Sequence, residues 1–126
     1  MAFEIINPEV FGGRPSGWNH GMLAQKGGRI LFVAGQIVPV GDFVKQWDGA
    51  LGRVMEVVRA AGGKPENIGR MVVYLTDRSE YLANRTPLGE VHRKHMGRHY
   101  PAMAVVEVKS LIDSKALVEI EAVAVL

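Results

Sequence analysis

The segment Tyr100-Pro101-Ala102-Met103-Ala104-Val105-Val106-Glu107-Val108 decides how the C-terminal half of this chain folds. Pro101 lacks a backbone donor and restricts Tyr100 to extended geometry, so a helix that precedes it cannot continue through it. The residues from Met103 to Val108 therefore predict a strand. A second apolar run, Leu117 to Leu126, predicts the last strand after a turn at Ile112-Asp113-Ser114-Lys115.

The upstream sequence alternates between strand and helix patterns. Apolar residues recur along one helix face from Phe43 to Ala61, with Asp42 as the expected N-cap and Gly62 as the stop. A second helix is expected from Ser79, its cap, to Met96. The remaining predicted strands are Phe3–Ile6, Met22–Gln25, Ile30–Ala34 and Ile68–Leu75, the second and third joined as a hairpin at Lys26–Arg29.

This order predicts one α+β domain over residues 1–126. The chain is 48% hydrophobic, with 15 basic and 13 acidic residues and a net charge of +2, so a polycationic surface for nucleic acid is not expected. It has no cysteine, and therefore no disulfide or cysteine-based zinc site. No apolar run has membrane-spanning length. We expect a soluble cytoplasmic protein without metal or cofactor.

Several predicted strands are apolar on both faces, including Ile30–Ala34 and Met71–Leu75. Two helices cover only one face of such a sheet, and leaving the other in water costs many kcal/mol at roughly 25 cal/mol per Å². We therefore expect subunits to cover that face for one another, with a site between them.

The chain resembles the RidA/YjgF family of reactive-intermediate deaminases nearly from end to end. The matching segments are Ile5-Ile6-Asn7-Pro8, Gly17-Trp18-Asn19-His20, Leu31-Phe32-Val33-Ala34-Gly35-Gln36-Ile37, Ala60-Ala61-Gly62, Val73-Tyr74-Leu75-Thr76-Asp77, Asn84, Tyr100-Pro101-Ala102, Val106-Glu107-Val108 and Val118-Glu119-Ile120-Glu121-Ala122-Val123-Ala124. The resemblance implies a chorismate-mutase-like fold: a mixed sheet of about six strands with two helices on one face. It also implies a homotrimer with ligand clefts between subunits.

Active members of that family hydrolyse imines and enamines to a keto acid and ammonia. In them an arginine after the Pro-Ala pair holds the substrate carboxylate, and a glutamate of the last strand positions water. Glu119 matches that glutamate, whereas Met103 stands at the arginine position and offers a carboxylate no donor. The resemblance implies a 2-iminobutanoate/2-iminopropanoate deaminase-like hydrolase with altered substrate. The alternative is a catalytically inactive ligand-binding or regulatory trimer.

Glu119 is the predicted catalytic residue, because a carboxylate on an apolar strand suits a general acid or base; the alternative is a structural hydrogen bond. Trp18 is expected to pack on the ligand, and the backbone near Val105 to polarise the reacting group. The resemblance adds Asn84 to the substrate-binding residues, and Met103 belongs to the same wall. His20 is either a donor in the cleft or an exposed loop histidine.

A cation that replaces the missing arginine has three candidates, namely Arg14, His20 and Arg98, among which the sequence does not choose. The run from His92 to His99 suggests a metal or RNA site at first sight, with His95 and His99 four residues apart. No aspartate or glutamate follows it closely to complete a metal site, and it has no interleaved aromatic residue beyond Tyr100. We interpret it as a solvated basic helix end.

Overall fold

The computed structural model describes residues 3–126; Met1 and Ala2, which begin the predicted domain, lie outside the described residues. The elements are β1 (Phe3–Ile6), β2 (Gly21–Ala24), β3 (Ile30–Gln36), α1 (Phe43–Ala60), β4 (Ile68–Leu75), α2 (Arg78–Ala83), α3 (Arg85–Met96), β5 (Ala102–Glu107) and β6 (Val118–Val125). The α+β class is confirmed.

The six strands of residues 3–126 form two hydrogen-bonded groups. The main sheet has the order β3-β6-β4-β5, and β1 pairs only with β2. Strand β4 runs parallel to β5 and antiparallel to β6, so the main sheet is mixed, as predicted. Strand β5 is an end strand of this sheet, which matters below because it forms one wall of a cavity.

The predicted hairpin between the second and third strands is wrong. Strand β2 pairs with β1, whereas β3 pairs with β6. Gly27 does adopt a positive φ of 87°, but Arg29 and Leu126 then exchange two backbone hydrogen bonds of 2.8 Å. The chain approaches β6 so closely that a Cβ on Gly28 would overlap the side chain of Val125. The glycines serve this contact and the turn rather than a hairpin.

Helix α1 agrees with its predicted bounds. The Lys45 amide donates to Oδ1 of Asp42 over 2.9 Å, which confirms the N-cap. Its apolar face, including Trp47, is buried against β3 and β6. The predicted stripe thus forms the centre of the core.

The second predicted helix is two helices. Asp77 rather than Ser79 caps the first, and the chain breaks at Asn84, with φ −119° and ψ 24°. Pro87 explains the break, because in a continuous helix its ring would clash with the carbonyl of Ala83 and its missing N–H would leave that carbonyl unpaired. In α3, Pro87 instead occupies the first turn, where helices tolerate proline.

The helices cover one face of the main sheet. On β6 the residues facing them, Val118, Ile120, Ala122 and Ala124, are fully or almost fully buried. The alternate residues of the sheet point to the opposite side, which we call the open face. There Phe32 is 76% exposed and Ile30 is 63% exposed. One chain therefore leaves apolar surface uncovered on this face, as the sequence predicted.

Candidate functional site

A cavity of about 460 Å³ lies between β5, helices α2 and α3, and the loop before β2. Its lining residues are Ser16, Gly17, Trp18, Trp47, Tyr81, Arg85, Leu88, Gly89, His92, Arg93, Tyr100, Met103 and Val105. Three predicted substrate-binding residues, Trp18, Met103 and Val105, thus come together. The volume falls in the range typical of small-molecule pockets.

Strand alternation places Met103 and Val105 at this cavity. They lie opposite Met71 and Val73 of β4, which belong to the core under the helices. The side chains of Met103 and Val105 therefore point to the helix side of the sheet. Because β5 is an end strand, its outer backbone groups have no strand neighbour within the described chain beyond a single bridge between Ala102 and Asn19.

The loop that carries Trp18 is fastened to the start of β5. Asn19 is buried, its amide N–H donates to the carbonyl of Pro101 over 3.3 Å, and its side chain donates to the carbonyl of Tyr100 over 2.6 Å. The side chain of Asn7 in turn donates to Asn19 over 2.8 Å. The Asn-Pro and Tyr-Pro segments thus fix the position of Trp18 beside the cavity.

Aromatic rings form much of the wall. Trp47 and Tyr81 stack with centroids 5.8 Å apart and planes inclined by 24°. His92 and Tyr100 lie parallel, with centroids 4.8 Å apart. Flat, apolar surface of this kind suits a ring or another planar group of a ligand.

Arg85 and Arg93, both on α3, give the cavity its positive charge, and no aspartate or glutamate lines it. Among residues 3–126, neither guanidinium makes an ion pair or a side-chain hydrogen bond. The guanidinium carbon of Arg85 lies 5.9 Å from the Tyr81 ring centroid. The sequence candidates Arg14, His20 and Arg98 do not line this cavity. Arg85 and Arg93 were missed because their placement follows from the break before Pro87.

His20 and Asn84 lie next to the cavity without lining it. The exposed imidazole of His20 contacts the rings of Trp18 and Phe11, with centroids 4.5 and 5.2 Å away. Asn84 caps α2 and donates to the carbonyl of Glu80 over 2.7 Å. Asn84 therefore fixes the helix end that precedes Arg85.

Glu119 lies on the open face, opposite Tyr74 of β4. Its carboxyl group rests against Gly35, at an irregularity of the β3–β6 pairing, and a Cβ on Gly35 would lie 2.7 Å from its Cδ. The absence of a side chain at position 35 is what leaves this room. The neighbouring Glu121 accepts a hydrogen bond from the Tyr74 hydroxyl, which raises the pKa of Tyr74.

Glu119 and the cavity are thus on opposite faces of the sheet. Met103 points to the helix side and Glu119 to the open face, two strands away. Each side chain of a sheet points to one face or to the other. A change of rotamer therefore cannot bring Met103 and Glu119 of one chain together. A site that uses both needs a second copy of the chain.

The histidines near the end of α3 make local hydrogen bonds. His92 Nε2 lies 2.8 Å from the carbonyl of His99, His99 Nε2 lies 2.7 Å from the carbonyl of Ile68, and His95 Nε2 lies 2.6 Å from Asp48. Lys94 also contacts Asp48, and the two partners lower the pKa of this carboxyl group. Over the described residues, no group of three or more histidine, cysteine, aspartate or glutamate side chains is arranged to hold a metal ion.

We expect folding stability to fall as the pH decreases below neutral, partly because of His92. Burial lowers the pKa of His92 from its ordinary value of 6.5, and it outweighs the hydrogen bond to the His99 carbonyl, which acts in the opposite direction. The unfolded chain then binds a proton more readily than the folded one, so this stabilisation is complete above 6.5 and is lost as the pH falls through the folded pKa. The dependence of stability on pH is measured as the denaturant midpoint of unfolding at about pH 8, 6 and 5.

The control for this prediction is His92→Phe, which keeps a flat ring against Tyr100 and removes the titrating group. Its midpoint should depend less steeply on pH than that of the wild type. Equal slopes for the two proteins would show that His92 contributes nothing to the acid sensitivity.

The helices over residues 3–126 include none that is long and apolar enough to cross a membrane.

Comparison with known proteins agrees with this architecture. The family model described as Endoribonuclease L-PSP matches residues 16–126. A RutC family protein from Pyrococcus horikoshii is 32% identical over 109 residues, which cover 80% of this chain and 82% of the relative. A 2-iminobutanoate/2-iminopropanoate deaminase from Capra hircus is 33% identical over 92 residues, which cover 73% of this chain and 63% of that protein.

A crystal structure of a Rid family protein of unknown function, YyfB from Yersinia pestis, superposes with a TM-score of 0.84. It is 29% identical, and the match covers 100% of both chains. The chain belongs to the RidA/YjgF family, and its chorismate-mutase-like fold is confirmed.

Proposed function

We propose that this protein is a cytoplasmic homotrimer that hydrolyses an imine, an enamine or a related small metabolite at clefts between its subunits. The observation that carries the proposal is the position of Glu119, an acidic residue held over Gly35 on the face that the helices leave uncovered. The similarity to a deaminase from Capra hircus supports the type of reaction.

Two features of the fold support association of the subunits, and membership of the RidA/YjgF family supports three as their number. Phe32 and Ile30 expose large apolar side chains on the open face. Contact of this apolar surface with water is unfavourable, and association of subunits would remove it. Glu119 and the cavity also need a second chain to meet. In the proposed assembly, the open face of one subunit brings its Glu119 to the β5 edge of the next, beside Met103 and Val105.

The proposed reaction is addition of water to a C=N bond. Glu119 accepts a proton from the attacking water, and the resulting tetrahedral carbinolamine releases ammonia after protonation of its nitrogen. A carbonyl compound remains. Outer backbone groups of β5 near Val105 orient the reacting group, and Trp18 packs on the ligand. The reaction needs neither a metal nor a cofactor.

Met103 favours a second candidate, a ligand-binding or regulatory trimer without catalysis. A thioether gives no hydrogen bond to the carboxylate that the arginine of active relatives would hold. In this case the cavity would keep its ligand and return it unchanged.

An ammonia-release assay separates the two candidates. Imino acids are generated in situ from several amino acids by an amino-acid oxidase, and ammonia is measured with and without the purified protein. Faster release than in buffer, with at least one imino acid, supports the hydrolase. No acceleration with any of them, at concentrations where the assembly is intact, supports the inactive trimer. Efficient turnover of small 2-imino acids would contradict the altered specificity inferred from Met103.

A further inference from the structure

Two arginines in the cavity point to the chemistry of its ligand. Arg85 and Arg93 lie eight residues apart on α3, about 12 Å along the helix axis, and both line the cavity. A carboxylate is the usual partner of a guanidinium, but among residues 3–126 neither arginine has one. The cavity therefore holds two cations whose charge is not balanced by its own lining.

Gly89 lies between these arginines, at the fourth position from each. Glycine destabilises a helix interior relative to alanine, so its presence needs a reason. Its φ is not positive, and an added Cβ would meet only the end of the Arg93 side chain, at an ordinary 3.6 Å. Neither conformation nor packing therefore requires glycine here. What the missing side chain does provide is room at the cavity wall, at the helix position between the two arginines.

Aromatic side chains line the same cavity as the arginines, and the Arg85 guanidinium lies beside the Tyr81 ring. Trp47 stacks on Tyr81, and Tyr100 lies flat on His92. Burial lowers the pKa of His92, so this imidazole is neutral at neutral pH and the positive charge comes from the arginines. Cationic groups beside flat apolar rings complement a ligand that has an anionic group and an aromatic body.

We infer that Arg85 and Arg93 bind the carboxylate of a ligand whose body is aromatic, and that they take over the anion binding which Met103 cannot provide. Gly89 gives the carboxylate access to both guanidinium groups, and the ring packs against Trp47, Tyr81 and Trp18. As a statement about the substrate, this inference rests on the proposed function; the substrate class is then an imine of an aromatic 2-oxo acid.

Intrinsic fluorescence tests the binding directly, because the two tryptophans of the chain, Trp18 and Trp47, both line this cavity. The probe is 3-phenylpropanoate, compared with its neutral isostere 3-phenylpropanamide and with butanoate, which lacks the ring. We expect a saturable fluorescence change with 3-phenylpropanoate at millimolar concentration or below. The amide and butanoate should bind at least about tenfold more weakly.

Variants assign the binding to the arginines. Arg85→Gln and Arg93→Gln should each weaken 3-phenylpropanoate about ten- to a hundredfold, since each removes charge-assisted hydrogen bonds. Arg98→Gln is the matched control, because it removes the same charge from an exposed position outside the cavity and should bind like the wild type. Circular dichroism verifies that all three variants fold.

Several outcomes would overturn the inference. These are no binding of 3-phenylpropanoate to the wild type, equal binding of the amide, or an equal loss in Arg98→Gln and the two cavity variants. The proposed function fails separately. If binding depends on the arginines but no ammonia is released from the imine of phenylpyruvate, the inference stands and the catalytic proposal fails. If Arg85→Gln and Arg93→Gln leave turnover unaffected, the catalytic proposal stands and the inference fails.

Discussion

Phe32→Glu is expected to sediment as a monomer at concentrations where the wild-type protein sediments as a trimer. Phe32 is 76% exposed in one chain and lies opposite Val123 of β6, in the apolar part of the open face. In the proposed assembly a glutamate here would be buried without a partner. Burying an unpaired charge costs several kcal/mol. This cost exceeds the favourable contacts that the substituted side chain makes at the interface.

The variant should still fold, because the substituted side chain is in water when the chain is alone. Sedimentation velocity gives the mass, and circular dichroism gives the secondary structure. Ile112→Glu is the control, since Ile112 is fully exposed in the loop between β5 and β6, away from the sheet surface. It introduces the same charge and should leave the assembly intact.

Two results would contradict this picture. A monomeric wild type at low micromolar concentration would mean that no second chain covers the open face. A trimeric Phe32→Glu variant would place the interface on another surface and would separate Glu119 from any neighbouring cavity.

Glu119→Gln should lower the rate of ammonia release by about two to four orders of magnitude, the usual contribution of a general base. Glutamine has nearly the same size and still accepts a hydrogen bond, but it does not take a proton from water. Binding of 3-phenylpropanoate should change little, because its proposed contacts are with the arginines and the aromatic wall. The comparison of turnover with binding distinguishes a catalytic from a structural role.

Glu121→Gln is the matched control. Glu121 lies on the same strand and face, two residues away, and its carboxyl group accepts a hydrogen bond from Tyr74. The amide oxygen of glutamine can accept the same bond, so we expect turnover close to that of the wild type. Equal losses in both variants would show that the charge of the open face matters rather than one general base.

Hydrophobic periodicity was sufficient to predict α1, but it did not reveal that the second predicted helix is divided into α2 and α3. The stripe from Phe43 to Ala61 is long and regular, and Asp42 and Gly62 mark its ends, so α1 was predicted nearly to the residue. The partner of β2 was not predictable in the same way. The glycines after it indicate a turn, and a turn does not determine which strand the chain meets next.

The site was predicted less completely, for a related reason. Trp18, Met103 and Val105 were identified from their neighbours in the sequence, and they do share a cavity. Arg85 and Arg93 point into that cavity because α3 starts anew after Asn84, a geometry that Pro87 signals. The distance between Glu119 and the cavity depends on which face each strand presents, which the strand order and register determine.

Gly35 gives the proposed chemistry an unusual dependence. The orientation of the Glu119 carboxyl group is set by a residue on another strand that contributes no atom to the reaction, only the space of a missing side chain. A single added methyl group there would displace the carboxyl group of Glu119, so in the proposed mechanism it would lower turnover although every catalytic side chain is still present. Loss of activity in this chain could therefore arise without any change that an inventory of catalytic side chains would detect.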